Sequence, residues 1–236
     1  MNYLSVKRFF DFLSALLLLL LILPLFLLIA LILKFTGEGE IFYLQKRIGK
    51  DKKPFFIKKF ATMLKDSLNI GSKTVTLRND PRITPAGKFL RKSKLNELPQ
   101  ILNVLNGDMS VVGARPLLPG SFLKYSPAVQ DKIYRTRPGI TGIGSVVFRD
   151  EEKLITQVRK SGMEPLDYYK NHIYPYKGAV EMWYQKNIGF LTDLKIILLT
   201  VWVVIFPDSK IVYKAFKDLP TLPPELSPAG IEKLAV

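Results

Sequence analysis

Phe12 to Leu33 contains no charged residue and a single hydroxyl. A helix needs ~20 apolar residues to cross a bilayer core, so this run is long enough. Two features favour a helix that enters and leaves on one side, with an ordinary spanning helix, kinked at the proline, as the alternative. Pro24 sits near the middle, where it removes a backbone donor and clashes with the preceding turn. Lys7 and Arg8 lie before the run and Lys34, Lys46, Arg47 and Lys50 after it. With cations on both flanks, both ends are expected on the cytoplasmic side. Each half would then be ~18 Å long, one leaflet. A cleavable leader fits poorly, because the run is long and no small-residue cleavage site follows it.

Beyond Glu38 the pattern changes. Ile41–Gly49 and Phe55–Phe60 read as two strands. Residues 66–82 are polar and turn-rich and read as a surface loop. Ile83–Lys94 reads as an amphipathic helix, with Thr84 as cap and Pro85 in first position. Ile101, Leu102, Val104 and Leu105 have the spacing of a short helix's buried face, and Asn106-Gly107 ends it. Ser121–Tyr134 reads as a helix. Gly139, Gly142 and Gly144 have the wrong spacing for a nucleotide fingerprint and read as a loop that approaches a phosphate closely. Residues 150–178 are charged and carry no motif. Ile196–Phe206 is apolar but too short to span, so with Trp202 it reads as a helix lying in the interface. The tail after Pro207 reads as a loosely packed extension. The expected fold is α/β or α+β, helix-rich. It has a small sheet and amphipathic interfacial helices on an N-terminal re-entrant membrane helix. Its parts are residues 1–36, 37–206 and 207–236.

Composition narrows the chemistry. Among 236 residues there is no cysteine and one histidine, His172. Disulfides, thiol catalysis and two-histidine zinc motifs are therefore excluded, and His172 reads as solvated or capping. A net charge of +15 calls for acidic partners. The membrane segment favours anionic lipid and phosphorylated small molecules. No nucleic-acid-binding pattern appears, and none of these numbers excludes a homo-oligomer.

Candidate chemistry concentrates in residues 94–115. Asn96 and Glu97 stand at one end of the short apolar helix, Asp108 and Arg115 at the other. A helix, a tight turn and a short strand would bring Glu97, Asp108 and Arg115 towards one place. Carboxylates beside an arginine can hold a divalent cation and a phosphate together. The same residues allow a plainer arrangement, with Glu97 and Arg115 as an ion pair and Asp108 as a turn cap.

Asn96-Glu-Leu-Pro-Gln, Asn103-Val-Leu-Asn-Gly-Asp-Met-Ser-Val-Val-Gly-Ala-Arg-Pro and Arg137-Pro-Gly-Ile-Thr-Gly resemble the bacterial sugar transferases. These are the monotopic polyprenyl-phosphate phosphoglycosyl transferases. The resemblance runs from about Lys7 to about Thr200. It implies transfer of a phosphosugar from a UDP-sugar to undecaprenyl phosphate, with Mg²⁺, at the cytoplasmic face of the bacterial inner membrane. It assigns the catalytic positions to Asn96, Glu97 and Asp108, with Glu97 and Asp108 on the metal. Substrate phosphates and nucleotide fall to Gln45, Arg47, Lys59, Arg91, Arg115, Arg137 and Arg149. Pro24 marks the membrane break. The chain departs from the pattern at Leu23, Ala61, Ala114 and Ser145. At position 96 it departs decisively, with asparagine where the family has its nucleophilic aspartate. A silent homologue that binds UDP-sugar or serves as a membrane scaffold is the alternative.

Overall fold

The computed structural model describes residues 3–36, 38–65 and 80–234. The chain divides into two compact units. The anchor unit comprises Arg8–Lys46 and Phe55–Met109; the arginine unit comprises Met1–Lys7, Arg47–Pro54 and Ser110–Val236.

In the anchor unit, α1 (Tyr3–Phe35) is helical straight through Pro24, without the two separate half-helices expected there. Proline inside a helix costs one hydrogen bond, and helical backbone on both sides can be retained around it. Among the described residues, α1 alone is long and apolar enough to cross a membrane, and only 17% of its most apolar stretch is buried. Phe26, Ile29 and Leu33 form its packed face. They meet Phe60 from β2 (Pro54–Phe60) and Leu90 from α2 (Pro85–Lys92). β2 pairs with β1 (Phe42–Ile48) in a two-stranded sheet, close to the sequence expectation. The Phe42 and Phe60 rings stack at 5.9 Å. Thr84 caps α2, its hydroxyl accepting from Gly87 N–H at 3.0 Å.

Of the loop expected over 66–82, residues 66–79 lie outside the described residues. Its last part is not surface. Asp80 and Arg82 are both buried and joined at 2.6 Å. α3 (Gln100–Asn106) follows the expected boundaries, and Gly107 ends it with φ 89°. Its buried face holds Ile101 and Val104 as expected, and also Asn103 and Gln100, which the apolar pattern does not reveal.

The arginine unit begins with β3 (Ser110–Val112), then α4 (Pro119–Phe122) and α5 (Pro127–Gln130). These two short helices replace the single helix expected over 121–134. Ser126 precedes a proline and is extended (ψ 151°), so the helix cannot run through it. β4 (Gly139–Thr141) pairs in parallel with β3, and α6 (Ile143–Val147) follows. The charged stretch after Arg149 forms α7 (Glu151–Lys160), α8 (Pro165–Tyr168) and a π turn at Tyr169–Ile173. Val158, Tyr168 and Ile173 from this stretch are core residues. His172 packs its ring 4.9 Å from Tyr168.

α9 (Tyr174–Lys186), α10 (Phe190–Ile205), α11 (Ile211–Ala215) and α12 (Pro228–Leu234) complete the unit. α10 buries Ile196, Leu199 and Val203 and exposes Leu194, Leu198, Val201, Trp202 and Ile205. One face is therefore packed, and the other is apolar and uncovered. The C-terminal segment is not loosely packed. Val212, Phe216, Leu219, Leu226 and Ile231 belong to the same core as Val180 and Tyr184. Trp183 Nε1 donates to Asp218 at 2.9 Å, and Tyr168 donates to Glu225 O at 2.6 Å. Proline-rich composition signals poor helix propensity. It does not signal poor packing, and these prolines separate aromatic and aliphatic anchors.

Candidate active site

Asn96 and Glu97 lie in a 3-10 turn, Leu95–Glu97, between α2 and α3. Lys94 enters it with φ 61°, which reverses the chain after α2. Leu95, Leu98 and Leu102 pack on the Phe26–Phe60 core, and the two polar residues are carried between them. Lys59 on β2 donates to Glu97 Oε1 at 3.0 Å. Glu97 is therefore paired with this lysine, which is not a solvated surface charge. Asn96 Oδ1 is buried and accepts no hydrogen bond. Arg91 is half-buried at the end of α2. Desolvation pushes its guanidinium down, with Asp80 and Glu97 pulling it back up and Arg82 adding to the fall.

Asp108 is held by Asn103, whose Nδ2 reaches Asp108 Oδ2 at 3.2 Å and Phe56 O at 2.8 Å. Asn103 Oδ1 also accepts from Lys58 N–H at 2.9 Å, so one buried amide ties β2, α3 and the following turn. Arg8 donates to Val104 O and Leu105 O at 2.5 and 2.9 Å. A cation there satisfies carbonyls that the helix end leaves open. Basic flank composition gives Arg8 a membrane role but does not disclose this one. Gln45 is half-buried on β1 in the same unit.

Arg47, Arg115, Arg137 and Arg149 belong to the arginine unit. β3 and β4 are joined by Ser110 N–H to Pro138 O (2.8 Å) and Gly113 N–H to Thr141 O (2.9 Å). The chain then folds back, and Gly139 N–H donates to Ala114 O at 2.9 Å. A Cβ on Gly113 would lie 2.4 Å from Arg137 O, and one on Gly142 would lie 2.0 Å from Gly113 O. No side chain fits at either position. The glycines here admit the protein's own backbone, which corrects the expectation of a loop open to phosphate. The fold-back brings the Arg115 and Arg137 backbones together. Tyr134 fastens it, donating to Arg115 O at 2.6 Å and accepting from Leu117 N–H at 2.9 Å. Burial holds the Tyr134 hydroxyl far above its ordinary range, and the Arg47 and Arg115 guanidiniums pull against that. Arg47 donates to Pro116 O at 3.1 Å. Arg149 follows α6, near Asp150 at 4.0 Å, and lines a cavity of about 200 Å³ with Lys153, Asp208 and Lys210; Arg115 and Arg137 do not line it.

Glu181 and Asp193 are buried acids that the sequence pattern does not reveal, as are Asp11 and Asp80. Asp193 gathers Tyr3, Lys7 and Tyr184 at 2.7, 2.5 and 2.8 Å. The available signal was an acid among aromatic residues in each C-terminal helix, and the spacing of Tyr3 and Lys7 on one face of α1. For magnesium, the donor chemistry of the Asn96–Glu97 turn fits. Two hard oxygens stand on adjacent residues, one of them without a donor, and Mg²⁺ completes its shell with water and phosphate. Among the described residues no group of three or more acidic or histidine side chains is present. One oxygen of Asp108 is already taken by Asn103.

The sequence profile described as "Bacterial sugar transferase" matches residues 2–207. The exopolysaccharide production protein ExoY of Rhizobium meliloti is 40% identical over 166 residues, 64% of this chain and 73% of that protein. The UDP-glucose:undecaprenyl-phosphate glucose-1-phosphate transferase of Escherichia coli is 36% identical over 193 residues, 80% of this chain and 40% of that one. The undecaprenyl-phosphate galactose phosphotransferase of Salmonella typhimurium is 33% identical over 218 residues, covering 86% of this chain and 41% of its own length. The chain thus spans about two fifths of these two longer transferases. With a match across nearly the whole chain, the protein belongs to the bacterial sugar transferase family.

Proposed function

We propose that the protein transfers a phosphosugar from a UDP-sugar to undecaprenyl phosphate, at the cytoplasmic face of a bacterial inner membrane. The names of the relatives support the substrates. The observation that carries the reading is the turn at 95–97: Glu97 is held by Lys59, and the neighbouring Asn96 oxygen is buried without a donor. Such a pair of oxygens is suited to a cation. When bound, Mg²⁺ would neutralise charge on the phosphoryl group in transfer. Glu97 and Asn96 would hold it, while Asn103 keeps one oxygen of Asp108 engaged.

A carboxamide is a weak nucleophile and cannot form an acyl phosphate without losing its nitrogen. The proposal therefore takes a single displacement. An oxygen of the lipid phosphate bonds to the sugar-linked phosphorus, the bond from that phosphorus to the bridging oxygen breaks, and UMP departs with that oxygen. Arg115 and Arg137 clamp phosphate oxygens in pairs, with Arg47 beside them, as planar guanidiniums can. α1 places its exposed apolar length in the bilayer, and the uncovered face of α10 lies at the headgroup boundary. A second reading, a silent UDP-sugar binder, is favoured by Asn96, Ala61, Ala114 and Ser145, each a departure from the family pattern.

UMP release from a panel of UDP-sugars, with Mg²⁺ and with or without undecaprenyl phosphate, decides between them. Lipid-dependent release in the first turnover supports single displacement. Silence that Asn96→Asp converts to release identifies a binder lacking only its nucleophile. Silence from both, with UDP-sugar still bound, leaves a binding protein.

A further inference from the structure

Glu181 has no part in the chemistry above, yet it is built into the arginine turn. It projects from α9 with its carboxyl fully enclosed, and one oxygen accepts the backbone N–H of Arg115. Oε1 lies where a Cβ on Gly144 would approach to 2.4 Å, so glycine at 144 leaves the carboxyl its place. The second oxygen, Oε2, is buried without a partner. A carboxyl is thus wedged between the fold-back that presents Arg115 and the turn that follows β4.

We propose that Glu181 is a positioning residue for phosphate binding, fixing the backbone from which Arg115 reaches its ligand. The proposal rests on the phosphate-clamp role given above to Arg115. An ionised carboxylate here would set a negative charge behind the arginines and weaken their hold on an anion. A neutral carboxyl keeps the N–H contact without that charge. Burial favours the neutral form, raising the group to about 8 from its usual 4.5, opposed by Lys177 and by the Arg115 N–H. The hydroxyls of Tyr125, Tyr134 and Tyr184 also face it electrostatically, and none of them ionises near neutral pH because burial raises all three. Lys177, one helical turn earlier, is engaged by Glu151 at 2.7 Å.

The test uses the full chain in detergent with UDP as the probe. Its terminal phosphate, with a second ionisation near ~6, is about nine-tenths charged at pH 7 and gains little charge above it. Affinity of the unaltered protein should fall on the order of fivefold between pH 7 and 9, as charge appears at Glu181. In Glu181→Gln that dependence should vanish. Glu181→Asp, one methylene short of the Arg115 N–H, should bind more weakly at every pH. In an Arg115→Ala background neither change should matter further. Equal pH profiles for the unaltered protein and Glu181→Gln overturn the proposal, as does an undiminished effect without Arg115. A chain that binds no UDP at any pH removes the phosphate-clamp role instead. Amide exchange at 113–115 then still decides whether Glu181 holds the turn: faster exchange in Glu181→Leu supports it, and unchanged exchange overturns it.

Discussion

Around Asn96 and Glu97 polar groups are fixed by other side chains: Lys59 holds Glu97, and Asn103 holds Asp108. Around Arg115 and Arg137 main chain packs against main chain, and the Tyr134 side chain fastens it. Gly113, Gly139 and Gly142 let two segments touch so closely that any Cβ would strike a neighbouring main-chain atom at 2.0 to 2.4 Å. The first arrangement can lose a partner and keep its shape, because side chains relax. The second cannot, because main chain has nowhere to go. Substitutions should therefore separate activity from stability in the anchor unit and merge them in the arginine unit.

The largest expected effect is on activity alone. Glu97→Gln should lower UMP release on the order of 10³-fold, the usual cost of deleting a preorganised charge partner at a transferring group. The Lys59–Glu97 pair is partly exposed, 17% and 33%, so its loss should cost stability only ~0.5 kcal/mol. Thermal unfolding that falls as steeply as the rate would show Glu97 to be structural.

Gly142→Ala should behave oppositely. With Gly113 O only 2.0 Å from the new methyl, the fold-back must open, at a cost of about 3 kcal/mol or more. Gly120→Ala is its control. Nothing lies within 4 Å of that position in α4, and the change should be neutral or mildly stabilising. Similar unfolding midpoints for the two variants would break the contrast between the units.

How far these features could be read from sequence follows the same division. Strands β1 and β2, the Thr84 cap and the end of α3 at Gly107 were legible, because each depends on local chemistry of a few adjacent residues. The role of Asn103 was not: its three partners, Phe56, Lys58 and Asp108, come from two segments that only packing brings together. The glycines at 139 and 142 were legible as a place of close approach, but what approaches could not be read, since Gly113 arrives through β-strand pairing. Glu181 was hidden for a physical reason. An acid on a helix is ordinarily a surface residue, and only the buried aromatic residues around it, Tyr176, Trp183 and Tyr184, mark that side of α9 as interior.

Glu181 also gives stability a pH dependence. Its folded form holds a proton up to about 8, whereas an unfolded carboxyl loses it near 4.5. Between those values the folded state binds more protons, so stability falls as pH rises through this window and levels off above it. After relaxation of the site the loss should be on the order of 2 kcal/mol. Glu181→Gln should flatten denaturant midpoints between pH 5 and 9, as measured at ~0.5-unit steps. A slope unchanged in the variant would assign the dependence to another group.

The smallest effect tests a feature the sequence displayed openly. Thr84→Ala removes the oxygen that accepts from Gly87 N–H at 3.0 Å and should cost ~1 kcal/mol. Thr84→Ser keeps the oxygen and should cost a few tenths at most. The cap sits at the start of the helix whose last turn carries Arg91, so its loss should fray α2 from its first turn and leave UMP release nearly unaltered. A marked fall in activity with so small a stability change would mean that α2 transmits its N-terminal order to Arg91. The anchor unit would then share the rigidity ascribed above only to the glycine fold-back.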